Sequence, residues 1–545
     1  MFLTSRALGS FSRPKTLTRG FAALNGTHFR EPDPSKPRLV LAYSGGLDTS
    51  CQLSWLAKEK GYEVCAYIAD LGQDDTLDQS AIDAIREKAE ISGAYAFYCE
   101  DLKEDFVENY VFKSIQASAL YEGRYLLGTS IARPCISKRQ VEICKAEKAT
   151  HISHGSTGKG NDQVRFELAY LGMDPTLTCV TMWRDPEYLE TFQGRLDLID
   201  YAEREGIPVS ATKKVSFRYR CACGLSLRRA CPLTDRRPLP PPPPPPPARL
   251  AAARARTCTC DASEDENCMH ISYESGELED PAFPGHTQEY PAEMWKKTTP
   301  LEDTPDTPCN LTIDFVKGNP VKVTNVDDGT VVTGSLDLFL YLNKVGGEHG
   351  VGREDIVENR FVGMKSRGCY ECPGGAILYR SHLDLETLCM DREVMRIRDG
   401  LTVKFSELAY NGFWFTCVAA HRLPAAPRHA TRTPHARSSR TFAADSHLSD
   451  SNPYARSPEM TFLRSTMELS QKAVTGSVDV RLFKGNVINR GRSSPFSLYN
   501  QDLVSMDIEG GFNAEMSTGF IQTLSTRLKA SAARDLTVDA AEAQA

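Results

Sequence analysis

Residues 39–56, LVLAYSGGLDTSCQLSWL, indicate the fold class, because an apolar run leads through a glycine turn into a segment with helical spacing. Leu39–Tyr43 predicts a buried strand, and the apolar residues of 53–56 predict a helix that ends near Gly61. The same alternation continues, with strands expected at 64–69, 94–98, 151–153 and 179–183 and helices at 82–91, 106–120 and 164–171. It predicts an α/β domain built on a doubly wound parallel sheet with helices on both faces.

The pattern changes after residue 300, where hairpin signals replace the strand–helix alternation. Two Lys-Gly-Asn turns, at 317–319 and 484–486, each lie between short apolar runs and predict hairpins. A helix is expected over 336–345, so we predict a second domain of the α+β type. The polar, helix-prone segment 526–545 is expected to form a C-terminal arm outside the core.

Length and charge limit the function classes. The chain has 545 residues, enough for about two to four domains. Its 71 acidic residues outnumber the 64 Lys and Arg, which argues against a nucleic-acid partner bound through its phosphates. No apolar run reaches the roughly 20 residues of a spanning helix, so no membrane partner is expected. The 17 cysteines are scattered and odd in number, as in proteins of reducing compartments.

Basic charge is concentrated in three segments of an otherwise strongly acidic chain. Residues 1–30 hold five Lys and Arg and no acid, residues 216–257 carry a local charge of +8, and residues 416–456 carry +4. The first segment is rich in Arg, Ser and Thr and lacks a long apolar stretch, which is typical of an organellar transit peptide. We therefore expect the chloroplast stroma or the mitochondrial matrix, with the cytosol as the alternative.

The other two basic segments are expected to be surface insertions without a packed core. The first contains the proline tract Pro240–Pro247, which takes an extended form, and the second is rich in Ala, Pro, Arg and His. The pairs Cys221-x-Cys223 and Cys258-x-Cys260 leave zinc binding open as an alternative, although their spacing is unusual for zinc. Cys369-x-x-Cys372 has no second pair and is interpreted as structural.

The turn after the first strand is a candidate phosphate site. In Ser44–Ser50 consecutive small residues let backbone N–H groups converge at the start of a helix, where an anion is stabilised. Asp48 would be repelled by phosphates unless a cation lies between them, which suggests Mg²⁺. The turn is not a Walker A loop, because it lacks the required glycine spacing and lysine.

Three further strings allow the turn to be compared with known families. The turn resembles the loop of N-type ATP pyrophosphatases, and Ser153–Arg165, Tyr125–Ser130 and Ile356–Gly368 are similar to the argininosuccinate synthetases within that superfamily. The resemblance covers roughly 36–215, 262–415 and 457–530 and omits the three basic segments. It implies an adenine nucleotide alpha hydrolase-like domain, and a ligase that joins citrulline to aspartate with ATP and Mg²⁺ through a citrullyl-adenylate, releasing AMP and diphosphate in arginine biosynthesis. The family's homotetramer, assembled through C-terminal helical arms, is also implied.

The resemblance assigns roles to individual positions. Residues expected to bind ATP are Ala42, Tyr43, Ser44, Gly45, Gly46, Leu47, Asp48, Thr49, Ser50, Ala69 and Gly155. Those expected to bind aspartate are Thr157, Asn161 and Asp162. Those expected to bind citrulline are Tyr125, Ser130, Asn161, Arg165, Ser263, Ser272, Glu358 and Tyr370. Asp48, Ser44 and Arg165 are expected to act in catalysis by positioning and electrostatics, without a covalent nucleophile.

The predicted boundaries follow from the insertions and the resemblance. They are 1–35 for a transit peptide or disordered leader, 36–210 for the ATP-binding domain, 211–262 for the first insertion, 263–525 for the synthetase domain interrupted by 416–456, and 526–545 for the arm. One alternative is another ATP pyrophosphatase, such as a tRNA thiolase or a glutamine-dependent amidotransferase. Another is a ligase whose activity is impaired by the two insertions. A third is a non-catalytic scaffold whose proline tract binds partner proteins.

Overall fold

The computed structural model describes residues 24–73, 79–158, 160–208, 263–274, 276–282, 294–415, 457–505, 513 and 515–542. The basic leader 1–23, the proline tract, the two Cys-x-Cys pairs and the histidines of the second insertion lie outside these residues.

The N-terminal half contains a six-stranded sheet in the order β1-β4-β3-β2-β5-β6. Its strands are β1 Gly26–His28, β2 Arg38–Ala42, β3 Glu63–Asp70, β4 Ala96–Asp101, β5 His151–Ser153 and β6 Thr178–Val180. Strands β2 to β6 pair in parallel, and β1 is an antiparallel edge strand on β4. The helices are α1 Leu47–Lys58, α2 Gln79–Ile91, α3 Lys103–Phe106, α4 Phe112–Gln116, α5 Gly128–Glu147, α6 Asn161–Met173, α7 Pro186–Thr191 and α8 Arg195–Glu205. A π-helical turn, Val107–Val111, joins α3 to α4, and a 3₁₀ turn spans Met182–Arg184.

Alternate residues of β2 enter two separate cores, which confirms the doubly wound α/β fold. Leu39 and Leu41 pack in a cluster with Trp55 of α1, whereas Val40 packs in a cluster with Ile131 of α5. Because side chains alternate between the faces of a strand, both faces of the sheet are covered by helices. This explains why the parallel strands are apolar runs without alternation.

The chain order of the strands creates a crevice between β2 and β5. From β2 the chain builds outward through β3 and β4, then returns to the other side of β2 for β5 and β6. At such a switch point the loops after the two central strands separate, and ligands of doubly wound sheets bind there. The Ser44–Ser50 turn follows β2 and the Gly155 loop follows β5, so both predicted nucleotide segments lie at this crevice.

The C-terminal half has two antiparallel sheets. Their orders are β11-β10-β9-β14-β15 and β12-β13-β8-β7. The strands are β7 Ser263–Glu266, β8 Ile271–Glu274, β9 Cys309–Val316, β10 Asn319–Asn325, β11 Val331–Thr333, β12 Arg353–Asn359, β13 Lys365–Glu371, β14 Gly476–Phe483 and β15 Asn486–Ser493. The helices are α9 Ser335–Glu348, α10 Pro373–Cys389, α11 Arg392–Tyr410, α12 Pro458–Ser470, α13 Gln501–Val504 and α14 Glu515–Glu542, with 3₁₀ turns at Gly276–Glu279 and Gln471–Ala473. None of the described helices is long and apolar enough to cross a membrane.

Both predicted hairpins form with the expected turns. Lys317 and Gly318 have φ of 51° and 75°, and Lys484 and Gly485 have 46° and 78°. Two successive positive φ values are those of a type I′ turn, whose twist matches the flanking strands. The second domain is therefore α+β, as predicted.

Other boundaries differ from the sequence expectations. Residues 24–35 were assigned to the disordered leader, but Gly26–His28 forms β1, where His28 Nε2 lies 2.9 Å from Glu147 Oε1. The strand expected to reach Trp183 ends at Val180, and the terminal helix begins at Glu515, earlier than expected. Helix α5 was not predicted, because it is buried on most sides and has no single apolar stripe.

Candidate active site

The Ser44–Ser50 turn presents unpaired helix N–H groups at the crevice. Helix α1 begins at Leu47 directly after the turn, and its N-cap Gly46 has extended φ and ψ of −74° and 174° with no side-chain cap. The first N–H groups of a helix have no intrahelical acceptor, so a phosphate can accept from them. Gly45 has φ of +74° and is buried against Ile85, a backbone conformation that favours glycine.

Hydroxyl groups and one lysine hold the turn in this shape. Ser44 Oγ lies 3.0 Å from Thr49 Oγ1, and Tyr43 Oη lies 2.9 Å from Ser50 Oγ. Lys88 Nζ donates to the carbonyl of Gly45 at 2.9 Å, and burial lowers the pKa of Lys88. Lys88 was not predicted from sequence, because it comes from the next helix and no spacing links it to the turn.

The Gly155 loop packs directly on the first turn of α1. A Cβ on Gly155 would lie 2.6 Å from Thr49 Cγ2, which is closer than carbon atoms approach. Ala69, near the end of β3, is buried beside the strand that leads into the turn. The structure therefore places the positions predicted to bind ATP at the carboxyl ends of β2, β3 and β5.

Asp48 is exposed in the first turn of α1. Desolvation raises the pKa of its carboxyl group, an effect that Arg195 opposes. A cation beside it would favour the ionised form, and carboxylate oxygen is a ligand that Mg²⁺ prefers. Among the described residues Asp48 belongs to no group of three metal-ligating side chains. Asp48 is therefore a single carboxylate ligand for a cation at this turn.

At the N-terminus of α6, Asp162 is held by two arginines. Arg133 donates to Asp162 Oδ2 from Nε at 3.0 Å and from Nη2 at 2.8 Å, and Arg165 Nη1 donates to Oδ1 at 2.8 Å. Burial opposes ionisation, but the two guanidinium groups outweigh it and hold the pKa of Asp162 well below its usual range. Thr157 is exposed in the loop that leads to this helix.

Seven of the eight predicted citrulline residues are buried in one region between the two halves of the chain. They are Tyr125, Ser130, Asn161, Arg165, Ser272, Glu358 and Tyr370. The side chain of the eighth, Ser263, lies outside the described residues, although its backbone begins β7.

The predicted citrulline cluster, made of these seven residues, combines closely packed rings with unsatisfied polar atoms. The Tyr125 and Tyr370 rings are 4.4 Å apart, and Ser272 is paired with Tyr370 across β8 and β13. Ser130 Oγ and Glu358 Oε2 are buried without a hydrogen-bond partner. Because buried polar atoms are nearly always paired in native proteins, these two atoms indicate a place for a polar ligand.

Glu358 has an unusual charge balance. Burial raises its pKa to about 7, although the hydrogen bond from Tyr410, the charge of Arg165 and the Tyr370 hydroxyl each lower it. Glu274 raises it further, because a second carboxylate disfavours ionisation. A cationic group of a ligand beside Glu358 would therefore stabilise the carboxylate.

Two residues of the site were missed by sequence reasoning. Tyr410, at the end of α11, donates to Glu358 Oε1 at 2.8 Å and accepts from Asn161 Nδ2 at 2.9 Å. Arg133, on α5, also donates to Asp265 Oδ2 at 2.5 Å. Neither lies in a distinctive motif, and Tyr410 reaches Arg165 across 245 residues of sequence.

A group of metal-ligating types beneath the Gly155 loop is better explained by packing. His154, Glu167 and Cys179 place their ligand atoms within 4.8 Å of one another. Ser156 N–H donates to His154 Nδ1 at 3.2 Å, which leaves the imidazole proton on Nε2, towards Glu167. Burial raises the pKa of Cys179 to about 12, which favours the thiol form of its sulfur.

Comparison with known proteins matches both halves of the chain. Residues 38–208 match the family model for the arginosuccinate synthase N-terminal HUP domain, and residues 262–425 and 452–531 match that for the arginosuccinate synthase C-terminal domain. The chain belongs to the argininosuccinate synthase family. An argininosuccinate synthase of Thermotoga sp. (strain RQ2) is 46% identical over 495 residues, which cover 91% of this chain and 97% of the relative. Those of Rattus norvegicus and Homo sapiens are each 44% identical over the same shares of both chains.

Membership in the argininosuccinate synthase family decides between the sequence alternatives. It confirms the predicted resemblance and an ATP-dependent ligase that forms a carbon–nitrogen bond, and it argues against a tRNA thiolase or an amidotransferase. Residues 209–261 and 426–451 lie outside the family match, within or at the edges of the two basic insertions.

Proposed function

We propose that the crevice and the adjoining buried cluster bind the three substrates of the argininosuccinate synthase reaction, with ATP at the two glycine loops, citrulline beside Glu358 and aspartate beside Asp162. The observation that carries this proposal is the pair of unsatisfied buried atoms, Ser130 Oγ and Glu358 Oε2, in the citrulline cluster. A zwitterion with a ureido group supplies both donors and acceptors to such atoms.

The reaction has two steps. The ureido oxygen of citrulline attacks the α-phosphorus of ATP, and the bond from that phosphorus to the bridging oxygen breaks, so that diphosphate leaves. The amine of aspartate then attacks the ureido carbon, the carbon–oxygen bond breaks, and AMP leaves. The protein contributes position and charge: the N–H groups at the start of α1 are available to the phosphates, and the citrulline side of the site is buried. Bound Mg²⁺, held by Asp48 and the phosphates, would neutralise the charge of the leaving diphosphate.

Two arginines and two carboxylates explain how the site distinguishes its amino acids. Asp162 stays ionised between Arg133 and Arg165, so its carboxylate can accept hydrogen bonds from the ammonium group of aspartate. Arg165, buried among Tyr125, Tyr410 and Glu358, is suited to a citrulline carboxylate. Asn161 lies between the two halves and adjoins both substrates.

Diphosphate release that requires both citrulline and aspartate tests this function. We expect no release when either amino acid is omitted, and argininosuccinate as the second product. Release with neither amino acid would indicate an unrelated pyrophosphatase. An inactive full-length chain that becomes active without its insertions would identify a product impaired by them.

We further propose a homotetramer assembled through α14. Its apolar side chains Phe520, Ile521, Leu524 and Leu528 are exposed and recur at helical spacing. In a stable assembly, an exposed apolar stripe of this kind is covered by another subunit. We therefore expect α14 of each subunit to pack against a neighbouring subunit. Light scattering of the full chain and of a chain ending at residue 513 tests this: we expect a tetramer and a smaller species, respectively, and equal masses would contradict the role of α14.

Residues 1–23 are proposed to direct import into an organelle, on the basis of their composition alone. Fusion of residues 1–35 to a fluorescent protein tests this, with a variant in which Arg6, Arg13 and Arg19 are replaced by Glu as the control. We expect organellar fluorescence for the first fusion and diffuse cytosolic fluorescence for the control. Cytosolic fluorescence for both would contradict the proposal.

A further inference from the structure

Tyr410 contacts three of the residues assigned to substrate binding, although it lies in none of the strings that identified the site. Its hydroxyl donates to Glu358 Oε1 at 2.8 Å and accepts from Asn161 Nδ2 at 2.9 Å. Its carbonyl accepts from Arg165 Nε at 2.7 Å, and the Arg165 guanidinium lies 4.7 Å from the ring centre. One residue at the end of α11 therefore connects the citrulline side of the site with the aspartate side.

The bonding pattern fixes the direction of each polar group. Asn161 Oδ1 accepts from the backbone N–H of Phe361 at 2.9 Å, so its amide nitrogen must face Tyr410. With one lone pair of its hydroxyl oxygen used by Asn161, Tyr410 donates its own proton to Glu358. This bond occupies Oε1 of Glu358, so Oε2, which lies near the Tyr370 hydroxyl and makes no hydrogen bond of ordinary geometry, is left to face a ligand.

The ring of Tyr410 is itself held in place. It is fully buried and stacks on Tyr121 at 3.6 Å with an angle of 5° between the ring planes. Gly412 follows two residues later with φ of +87°, and a Cβ there would lie 2.7 Å from the Cα of Arg165. The end of α11 therefore packs closely on α6 beside Arg165, whose Nε donates to the Tyr410 carbonyl.

We infer that Tyr410 is a positioning residue for substrate binding, which orients the Glu358 carboxylate towards citrulline and couples it through Asn161 to the aspartate site. This inference rests on the proposed citrulline site. The groups that face Glu358 are Tyr410, Arg165, Glu274 and Tyr370, and Arg360 pairs with Glu274 at 2.8 Å. Tyr410, Arg165 and Tyr370 favour the ionised carboxylate, whereas Glu274 opposes it.

The substitution Tyr410→Phe tests the inference cleanly. It keeps the ring, the stack on Tyr121 and the carbonyl that Arg165 uses, and removes only the hydroxyl. Tyr121→Phe is the matched control, because it removes a hydroxyl from the other ring of the same stack, where the partner is the carbonyl of Asn359 at 2.8 Å. Diphosphate release is measured from pH 6 to 9 with each substrate varied in turn.

We expect the KM for citrulline of the unsubstituted enzyme to rise as the pH falls through about 7, where Glu358 takes up a proton. In Tyr410→Phe the KM for citrulline should be about tenfold higher at pH 8, and the rise on acidification should begin at a higher pH. The KM for aspartate should increase less and the KM for ATP should not change. Tyr121→Phe should behave as the unsubstituted enzyme does.

Two results would overturn the inference and are distinguishable. If the KM for citrulline depends on pH in the same way in Tyr410→Phe and Tyr121→Phe, Tyr410 does not position Glu358, although the role of Glu358 in citrulline binding stands. If the KM for citrulline is independent of pH in the active, unsubstituted enzyme, Glu358 does not bind citrulline as an ionised carboxylate. The positioning role inferred for Tyr410 is then wrong as well. An equal melting temperature for both variants shows that neither change acts through unfolding.

Discussion

Arg133 holds one carboxylate oxygen of Asp162 with two hydrogen bonds, from Nε at 3.0 Å and from Nη2 at 2.8 Å. The same Nη2 reaches Asp265 of the C-terminal half at 2.5 Å. Arg133 therefore fixes the acid proposed to bind aspartate and at the same time joins the two halves of the chain. Such a half-buried arrangement is sensitive to the loss of one partner, because the remaining charges become unpaired.

Arg133→Gln should raise the KM for aspartate roughly tenfold or more and change the KM for citrulline much less, since Asp162 loses two charge-assisted donors. Without Arg133 the pKa of Asp162 moves up, so aspartate binding should also weaken on acidification at a higher pH than in the unsubstituted enzyme. Steady-state kinetics from pH 5 to 8 measure both effects. Arg133→Lys should recover part of the loss.

Arg124→Gln is the control for Arg133. Arg124 also joins the two halves, through Nε and Nη2 to Glu354 Oε2 at 3.2 and 2.9 Å, but this pair is exposed. Exposed pairs contribute little to stability, so this variant should retain both KM values. Equal effects of the two substitutions on aspartate would show that Arg133 acts only by joining the halves.

Gly155→Ala should weaken ATP binding strongly, because its Cβ would lie 2.6 Å from Thr49 Cγ2 and push the two glycine loops apart. Thr49→Ser removes that methyl group and keeps a hydroxyl for Ser44, so the double variant should recover ATP affinity. Gly400→Ala is the control, because a Cβ there meets nothing within 4 Å. Nucleotide titration measures the affinities, and a double variant as weak as Gly155→Ala would contradict the steric explanation.

Asp48→Asn should preserve folding and lower kcat by orders of magnitude, because it removes the carboxylate proposed to contact Mg²⁺. The measurement is citrulline-dependent AMP formation at several Mg²⁺ concentrations. Asp337→Asn, which also changes an exposed acid in the first turn of a helix, should leave the rate unchanged. Unchanged AMP formation in Asp48→Asn would remove Asp48 from the mechanism.

Glu358→Gln should raise the KM for citrulline and abolish its dependence on pH near 7, because the amide neither ionises nor stabilises a cationic group. Glu354→Gln is a matched control on the same strand, β12, where the side chain is paired with Arg124 outside the buried cluster. The measurement is diphosphate release at varied citrulline concentration. A retained pH dependence in Glu358→Gln would assign the titration to another group.

Deleting residues 216–260 and 416–456, each replaced by a short Gly-Ser linker, should leave the melting temperature and the activity nearly unchanged or raise them. The residues that flank the second insertion are adjacent in the structure: Ser457 Oγ donates to the carbonyl of Phe413 at 3.3 Å, and the Ser457 side chain also caps α12. Loop closure depends only weakly on length, so shortening adds little strain. A soluble but unfolded deletion variant, detected by circular dichroism, would show that the segments are structural.

The nucleotide half of the molecule could be predicted because its signals are local. The segment consists of a strand that ends before Ser44, two glycines and a helix, which follow one another directly in the sequence. The spacing of the apolar residues and the residue types of the turn therefore predict all three. Helix α5, which carries Ser130 and Arg133, could not be predicted in this way, because burial on most sides removes the amphipathic pattern. The antiparallel strand β1 was missed for a different reason: it is only three residues long and its partner, β4, lies about 70 residues away.

By itself the sequence determined the fold class, the hairpin turns and the glycine turn before α1 and, through resemblance, the positions proposed to bind the substrates. Only the tertiary structure decided which side chains hold those residues in place. Tyr410 meets Arg165 across 245 residues, and Arg133 meets Asp265 across 132. The tertiary structure also decided the chemistry of Glu358, since packing removes water from its carboxyl group and thereby raises the pKa to about 7. Residue types and their spacing specify the local geometry of the chain. Burial and contacts between distant residues specify whether side chains such as Glu358 and Asp162 are ionised.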